Sequence, residues 1–226
     1  MNTDAQTHID PIRSDQSAPH SELIAVVQRH LKSEWRKPTP AHTLAAAQSA
    51  IEWIQSQPRK PLILDSFCGT GMSTAQLAQA YPEALVIGVD KSADRLGRHI
   101  ASNNGCYQLF RAECEPFWRC LLEAGLRLQQ HYILYPNPWP KGSHLKRRVH
   151  GHPGFALLPQ LGGALELRTN WGIYAQEFAQ SCAVAGVQGT LTTFVPSNPL
   201  TLFERKYYEN GQTLWRYHAP ANSELP

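Results

Sequence analysis

Several things are scarce in this sequence, and each shortage excludes something. Only 17% of the 226 residues are charged against 42% apolar, a globular balance and not that of a disordered chain. No apolar run approaches the roughly 18 residues a membrane helix needs. Residues 1–20 (MNTDAQTHIDPIRSDQSAPH) lack the apolar stretch of a signal peptide. The five cysteines include no Cys-x-x-Cys pair, so reduced thiols in a cytoplasmic protein are expected in place of a disulfide scaffold. Internal repeats and low-complexity tracts are absent. The length suits one large domain, or one domain with an appendage.

One absence is local. Residues 131–160 contain no acid, yet hold Lys141, Lys146, Arg147 and Arg148, with His144, His150 and His152 among them. The formal net charge of +3 is traced wholly to this window, since the rest of the chain sums to −1. A run of cations offers itself to a polyanion; a solvated face is the alternative.

Hydrophobic spacing gives the organisation. Residues 1–20 are polar and read as a mobile tail. Residues 21–60 read as a helical N-terminal extension. Ser21 caps a helix whose face carries Leu23, Val26, Val27, His30 and Leu31, and Pro38 and Pro40 stop it. A second helix covers about 42–56, with Leu44, Ala47, Ile51 and Ile54 on one side. From residue 61 to about 220 short apolar strands alternate with helical stretches. Strands are expected at 61–66, 85–90, 106–112, 131–136, 163–169 and 189–195, with a further one, antiparallel, at 212–218. Helices are expected at 72–81 and 91–103. This alternation predicts an α/β fold, a mostly parallel sheet with helices on both faces.

Ligands in such sheets lie beyond the carboxyl ends of the strands. Three consecutive strand ends carry acids: Asp65, followed by the Gly69-Thr70-Gly71 turn; Asp90; and Glu113. The glycines allow a sharp turn and close backbone approach, and Asp90 suits a pair of ribose hydroxyls. Helix caps and simple turns are the alternative. The third glycine of the dinucleotide fingerprint is missing, because Thr74 stands there. The order resembles the class I methyltransferases, which implies a Rossmann-like fold and S-adenosyl-L-methionine as cofactor. One departure is Phe67, where that motif has a glycine.

The most specific segment is Tyr135-Pro136-Asn137-Pro138-Trp139-Pro140-Lys141, followed by Gly142-Ser143-His144-Leu145-Lys146-Arg147-Arg148. Its prolines stiffen a loop at the fourth strand end and hold Asn137 and Trp139 in place. With Thr169-Asn170 and Tyr174, and with Thr201-Leu202-Phe203-Glu204, Gly211 and Arg216, it resembles the bacterial tRNA (guanine-N7)-methyltransferase family from about residue 61 to 218. The resemblance implies cofactor binding by Asp65, Gly69, Gly71, Asp90, Glu113 and Asn137. It implies substrate contacts from Lys141, Asn170 and Thr201 through Glu204, and RNA contacts from Ser143, His144, Lys146, Arg147 and Arg148. Asn137, Asn170 and Glu204 would frame the base, with Asn137 nearest the chemistry, and tRNA would be the partner.

Two positions that are aspartate in the family, Asn137 and Asn170, are amides here. A divergent paralogue acting on another base or a small metabolite, and a non-catalytic binder of RNA or cofactor, therefore stand as alternatives. Asn137-Pro138-Trp139 also partly matches the Asn-Pro-Pro-aromatic motif of exocyclic amino methyltransferases. His144, His150 and His152 lack a companion carboxylate or cysteine cluster, so they read as phosphate hydrogen-bonders and no metal is expected. Cys68 and Cys114 read as packing residues, and Tyr174 as either pocket or core. Trp35, Trp53 and Trp118 read as core.

Overall fold

A computed structural model describes residues 10–101 and 106–221. Helices α1 (Leu23–Lys32) and α2 (Ala41–Ser56) precede β1 (Leu62–Ser66), α3 (Met72–Ala80) and β2 (Leu85–Asp90). Next come α4 (Ala93–Leu96), β3 (Tyr107–Arg111), α5 (Cys114–Glu123) and β4 (Gln130–Leu134). Three short 3-10 turns between Gly142 and Leu157 lead into α6 (Leu158–Leu161) and β5 (Ala164–Thr169). The chain closes with α7 (Gly172–Val184), β6 (Thr190–Phe194), α8 (Leu202–Glu209) and β7 (Leu214–Ala219).

The seven strands order as β3-β2-β1-β4-β5-β7-β6. The first five are parallel, and β7 lies antiparallel between β5 and β6. β1 and β2 are buried along their whole length because helices cover both faces, which is why they read as continuous apolar runs. Leu62 and Leu64 face the larger core with Val27, Phe117, Trp118 and Leu121, while Ile63 faces a smaller one with Leu77, Val86 and Tyr132. Strand order reverses between β1 and β4, and that seam positions the site.

Two expectations need correction. The helix expected over 91–103 is one turn, α4. His99 bonds Thr70 O at 2.8 Å and the Tyr107 hydroxyl at 2.9 Å, so tertiary contacts draw the segment toward the glycine turn; residues 102–105 lie outside the described ones. The mobile-tail expectation fails over residues 10–20, where Ser14, Asp15, Gln16 and His20 bond to the loop after β4 and to α7. Residues 1–9 lie outside the described ones.

Candidate active site

The carboxyl ends of β1 to β5 meet at a cleft of about 680 Å³, lined by Phe67, Asp90, Glu113, Asn137, Trp139 and Asn170 among others. Arg147, Phe203 and Tyr207 complete its mouth.

Below the cleft, Asp65 is wholly buried at the end of β1. Its Oδ2 accepts from Ser73 Oγ at 2.6 Å and Thr74 Oγ1 at 2.7 Å, both in the first turn of α3. Its Oδ1 has no partner among the described residues. Burial pushes the carboxyl up to about 6 against the opposing pull of those hydroxyls. Gly71, at φ 76°, makes the turn into α3. Asp90 ends β2 with Oδ2 accepting from Gly69 N at 3.0 Å and Oδ1 from Ser92 N at 2.8 Å. Arg95, absent from the residues expected at the site, lies 3.0 Å from Asp90 Oδ1 and lines the cleft. Glu113 opens α5, its backbone N–H donating to Thr43 Oγ1 of α2, and it too faces the cleft.

Among the described residues, Phe67, Tyr135 and Trp139 are the non-glycines with positive φ, at 63°, 52° and 46°. All three line this cleft. Left-handed backbone at bulky residues is costly and clusters where geometry is functional. Asn137 Oδ1 accepts from Trp139 N at 3.2 Å, which folds the proline loop back on itself. Asn170 Nδ2 donates to Gln212 Oε1 at 2.8 Å.

The basic run divides. Lys141, Ser143, Lys146 and Arg147 are exposed, with the Arg147 guanidinium 5.0 Å above the Trp139 ring. His144 packs edge-on against the same ring. Arg148, expected to meet RNA, is fully buried. It donates to Glu177 Oε2, to Trp139 O at 3.2 and 3.1 Å and to Lys141 O at 3.2 Å, and stacks over Trp171. It ties the loop to α7 and is unavailable to phosphate. His150, also expected at phosphate, is buried, with Nε2 2.9 Å from Glu177 Oε2. Burial holds that imidazole below its ordinary range despite Glu177. Burial alone would raise Glu177, but hydrogen bonds from His150, Arg148 and His20 N outweigh it and hold the carboxyl down at about 2.

Glu204 is the other displaced residue. It is buried, pairs with Arg168 at 3.0 Å and accepts from Leu200 N, while Thr201 Oγ1 accepts from Glu204 N at 2.9 Å. Thr-x-x-Glu is capping-box spacing, and these two side chains start α8 without facing the cleft. Phe203 and Tyr207 of that helix do, stacked at 5.9 Å and 19°. Tyr174 is core, its hydroxyl accepting from Val149 N. Trp35, expected in the core, is half-buried between Arg119 and His152. Cys68 and Cys114 are buried, and burial pushes both thiols up, as packing residues require.

Signals for the missed residues were available. Glu177 falls three positions after Tyr174 and one before Phe178, on the buried face of α7, where an acid demands a partner. Tyr207 follows Phe203 at helical spacing.

Strand order and cleft together define the class I methyltransferase architecture. Solved structures agree on the fold. An "antibiotic related Methyltransferase" superposes with a TM-score of 0.55 at 14% identity, covering 78% of this chain and 94% of that one. A 16S rRNA (adenine(1408)-N(1))-methyltransferase from Catenulisporales acidiphilia gives 0.52 at 18% identity, covering 79% and 93%. Residues 59–217 match the family described as "Putative methyltransferase", and the chain belongs to that family. Similar proteins include the tRNA (guanine-N(7)-)-methyltransferase of Neisseria gonorrhoeae (strain NCCP11945), 27% identical over 86% of this chain and 85% of that protein. The enzyme of the same name from Chromohalobacter salexigens is 29% identical over 85% and 83%.

Proposed function

We propose that this chain is an S-adenosyl-L-methionine-dependent methyltransferase that modifies N7 of a guanine in tRNA. The observation that carries the reading is one cleft with two unlike walls. Buried Asp90 at the end of β2 and half-buried Glu113 just after β3 form the first, with buried Asp65 of β1 behind them. A proline-stiffened loop with outward cations forms the second.

The residues fit the cofactor. Asp65 Oδ1 is a buried acceptor without a donor among the described residues, matched to an ammonium group. Asp90 sits where ribose hydroxyls bind in this fold, and Glu113 is suited to an adenine amine. The cofactor supplies a methyl group on a cationic sulfur. Guanine N7 already has a free lone pair, so the enzyme need not remove a proton. Its work is to align the base, exclude water and support the cationic product. Asn137 and Asn170 supply amide contacts to the base edge. Phe203, Tyr207 and Trp139 offer aromatic faces, and Lys141, Lys146 and Arg147 meet phosphates. In this reading His144 and Ser143 flank the same RNA path, and the enzyme works in the cytoplasm. Among the described residues no helix is long and apolar enough to cross a membrane.

The test is cofactor-dependent methyl incorporation into bulk tRNA with identification of the modified nucleoside. N7-methylguanosine is expected; methylation of another base would favour the divergent-paralogue reading that the two amides suggest. Asn137→Asp retains the acceptor for Trp139 N and adds a negative charge near the developing cation. It is expected to raise turnover on tRNA several-fold. Asn170→Asp requires Gln212 to turn its amide and is expected to help less. A fall in turnover with Asn137→Asp would contradict the electrostatic argument.

A further inference from the structure

Part of the acceptor wall is held by chain that precedes residues 59–217, the family's matched span. Trp139 keeps its left-handed backbone because the Arg148 fork grips its carbonyl twice and that of Lys141 once. Glu177 holds the fork at Nη1, and Gln16 bonds the same Nη2 that reaches the two carbonyls. Gln16 Oε1 accepts from Arg148 Nη2, and Gln16 Nε2 donates to Glu177 Oε1 at 3.2 Å. One neutral side chain thus closes both ends of a buried ion pair. Its neighbours stitch the same loop: Ser14 Oγ donates to Pro140 O at 2.6 Å, Gly142 N donates to Asp15 Oδ1 at 2.8 Å, and His20 N donates to Glu177 Oε1 at 2.8 Å.

We propose that residues 14–20 form a strap that positions the acceptor loop 137–142, with Gln16 as its positioning residue. The importance of that loop for turnover rests on the proposed function; the clamp itself does not. Without Gln16, Arg148 Nη2 loses one of its three acceptors and Glu177 Oε1 keeps only His20 N as donor. Glu177 still holds Nη1, but the fork has lost its tie to the strap, so its grip on the Trp139 carbonyl slackens and the backbone of Trp139 relaxes away from the left-handed region. Lys141, Lys146 and Arg147 stay on the surface, so RNA capture survives while base alignment does not. Cofactor contacts on β1 to β3 are untouched.

The test uses full-length Gln16→Met, which keeps the length of the side chain and removes both polar atoms. Amide hydrogen exchange over residues 139–148 is expected to accelerate. Cofactor affinity by calorimetry and tRNA affinity by filter binding are expected to hold, while turnover at saturating tRNA falls about tenfold or more, the scale of a small misplacement. A merely structural role would lower the melting temperature and leave turnover intact where the variant is fully folded. Unchanged exchange, or unchanged turnover in the folded variant, overturns the proposal. Ser14→Ala, which removes the bond to Pro140 O and the acceptor of Gln16 N but leaves the Gln16 side chain in place, is the milder companion and should show the same changes in smaller measure. If the unaltered enzyme leaves tRNA unmethylated, the proposed function fails, and the exchange measurement still decides the clamp.

Discussion

Arg148 and Arg147 are neighbours in one basic run and should answer mutation in opposite ways. Arg148 has 0% of its side chain exposed and pairs with Glu177, also 0% exposed. Replacing Arg148 with methionine strands a buried carboxylate and leaves the carbonyls of Trp139 and Lys141 without those donors. His150 and Gln16 remain near Glu177. Removing one partner of a buried pair costs about 3–5 kcal/mol. At an m-value of about 2–3 kcal/mol/M, the urea midpoint should fall by roughly 1–2 M. Acid unfolding gives a second reading. Glu177 is held at about 2 against an ordinary 4.5. A depressed carboxyl stabilises the fold fully above 4.5, and that support is lost as pH falls toward 2. Without Arg148 the depression shrinks, so less of this support exists at neutral pH. The double variant Lys146→Ala with Arg147→Ala should leave stability within about 0.5 kcal/mol, since both side chains are exposed. It should flatten the salt dependence of tRNA binding by about 0.7–0.9 log units for each phosphate that is no longer neutralised. An Arg148→Met variant that unfolds within about 1 kcal/mol of the parent while its salt slope falls as the surface pair's does would mean that Arg148 is a surface cation after all.

Two further outcomes follow from the cofactor wall. Burial raises Asp65 to about 6 from 3.8, so the folded state holds this proton between those values and ionising it costs stability as pH rises through the window. Binding an ammonium group needs the ionised form, so cofactor affinity should drop about tenfold between pH 7 and pH 5. Calorimetry on the parent and on Asp65→Asn measures this, and a flat profile in the parent would contradict it. The two turn glycines should also separate: a Cβ at Gly71 would lie 2.5 Å from Leu109 Cδ1, whereas one at Gly69 meets nothing within 4 Å. Gly71→Ala, which must displace the Leu109 side chain as well as strain the backbone, should destabilise the fold more than Gly69→Ala, which should cost only the strain of left-handed backbone, about 1–2 kcal/mol of stability.

The sheet was legible because its signals are local. β1 and β2 are short apolar runs between turn residues, and β5 alternates buried with half-buried positions along its length. The places of the acids at 65, 90 and 113 could be read from the pattern, since Asp65 and Asp90 lie at the ends of β1 and β2 and Glu113 follows β3 at the start of α5. A helix over 91–103 does not form because His99 answers to Thr70 and Tyr107 and not to its own periodicity. Arg148 and Glu204 escape sequence reasoning for a related cause: sequence gives the type of a charged residue but not which way its side chain turns. Arg148 turns inward because Glu177, 29 residues later, waits on α7. Glu204 turns inward because Arg168 ends β5 beside it. The polar residues of the N-terminal segment look solvated until Pro140, Gly142 and Glu177 are seen to be their partners.

The three left-handed residues show what kind of chemistry this cleft serves. Each conformation costs free energy, and each is held by a bond from another element. Phe67 N donates to Cys114 Sγ at 3.3 Å, Tyr135 N to Arg168 O at 2.8 Å, and the Trp139 carbonyl is gripped by Arg148. The strain therefore exists before any ligand enters, and it sits on the cofactor wall, at the seam and on the acceptor wall. A reaction that needed a strong base would be expected to place a desolvated, unpaired titratable group at the reacting atoms. Here Asp65, with Oδ2 bonded and Oδ1 unpartnered among the described residues, does not line the cleft, and the unpartnered Tyr135 hydroxyl that does is pushed up by burial and stays protonated; the acceptor wall otherwise carries amides, aromatic rings and outward cations. Transfer to a lone pair that needs no deprotonation asks for alignment above all, and alignment is what the strained backbone, the capped start of α8 and the Arg148 fork provide.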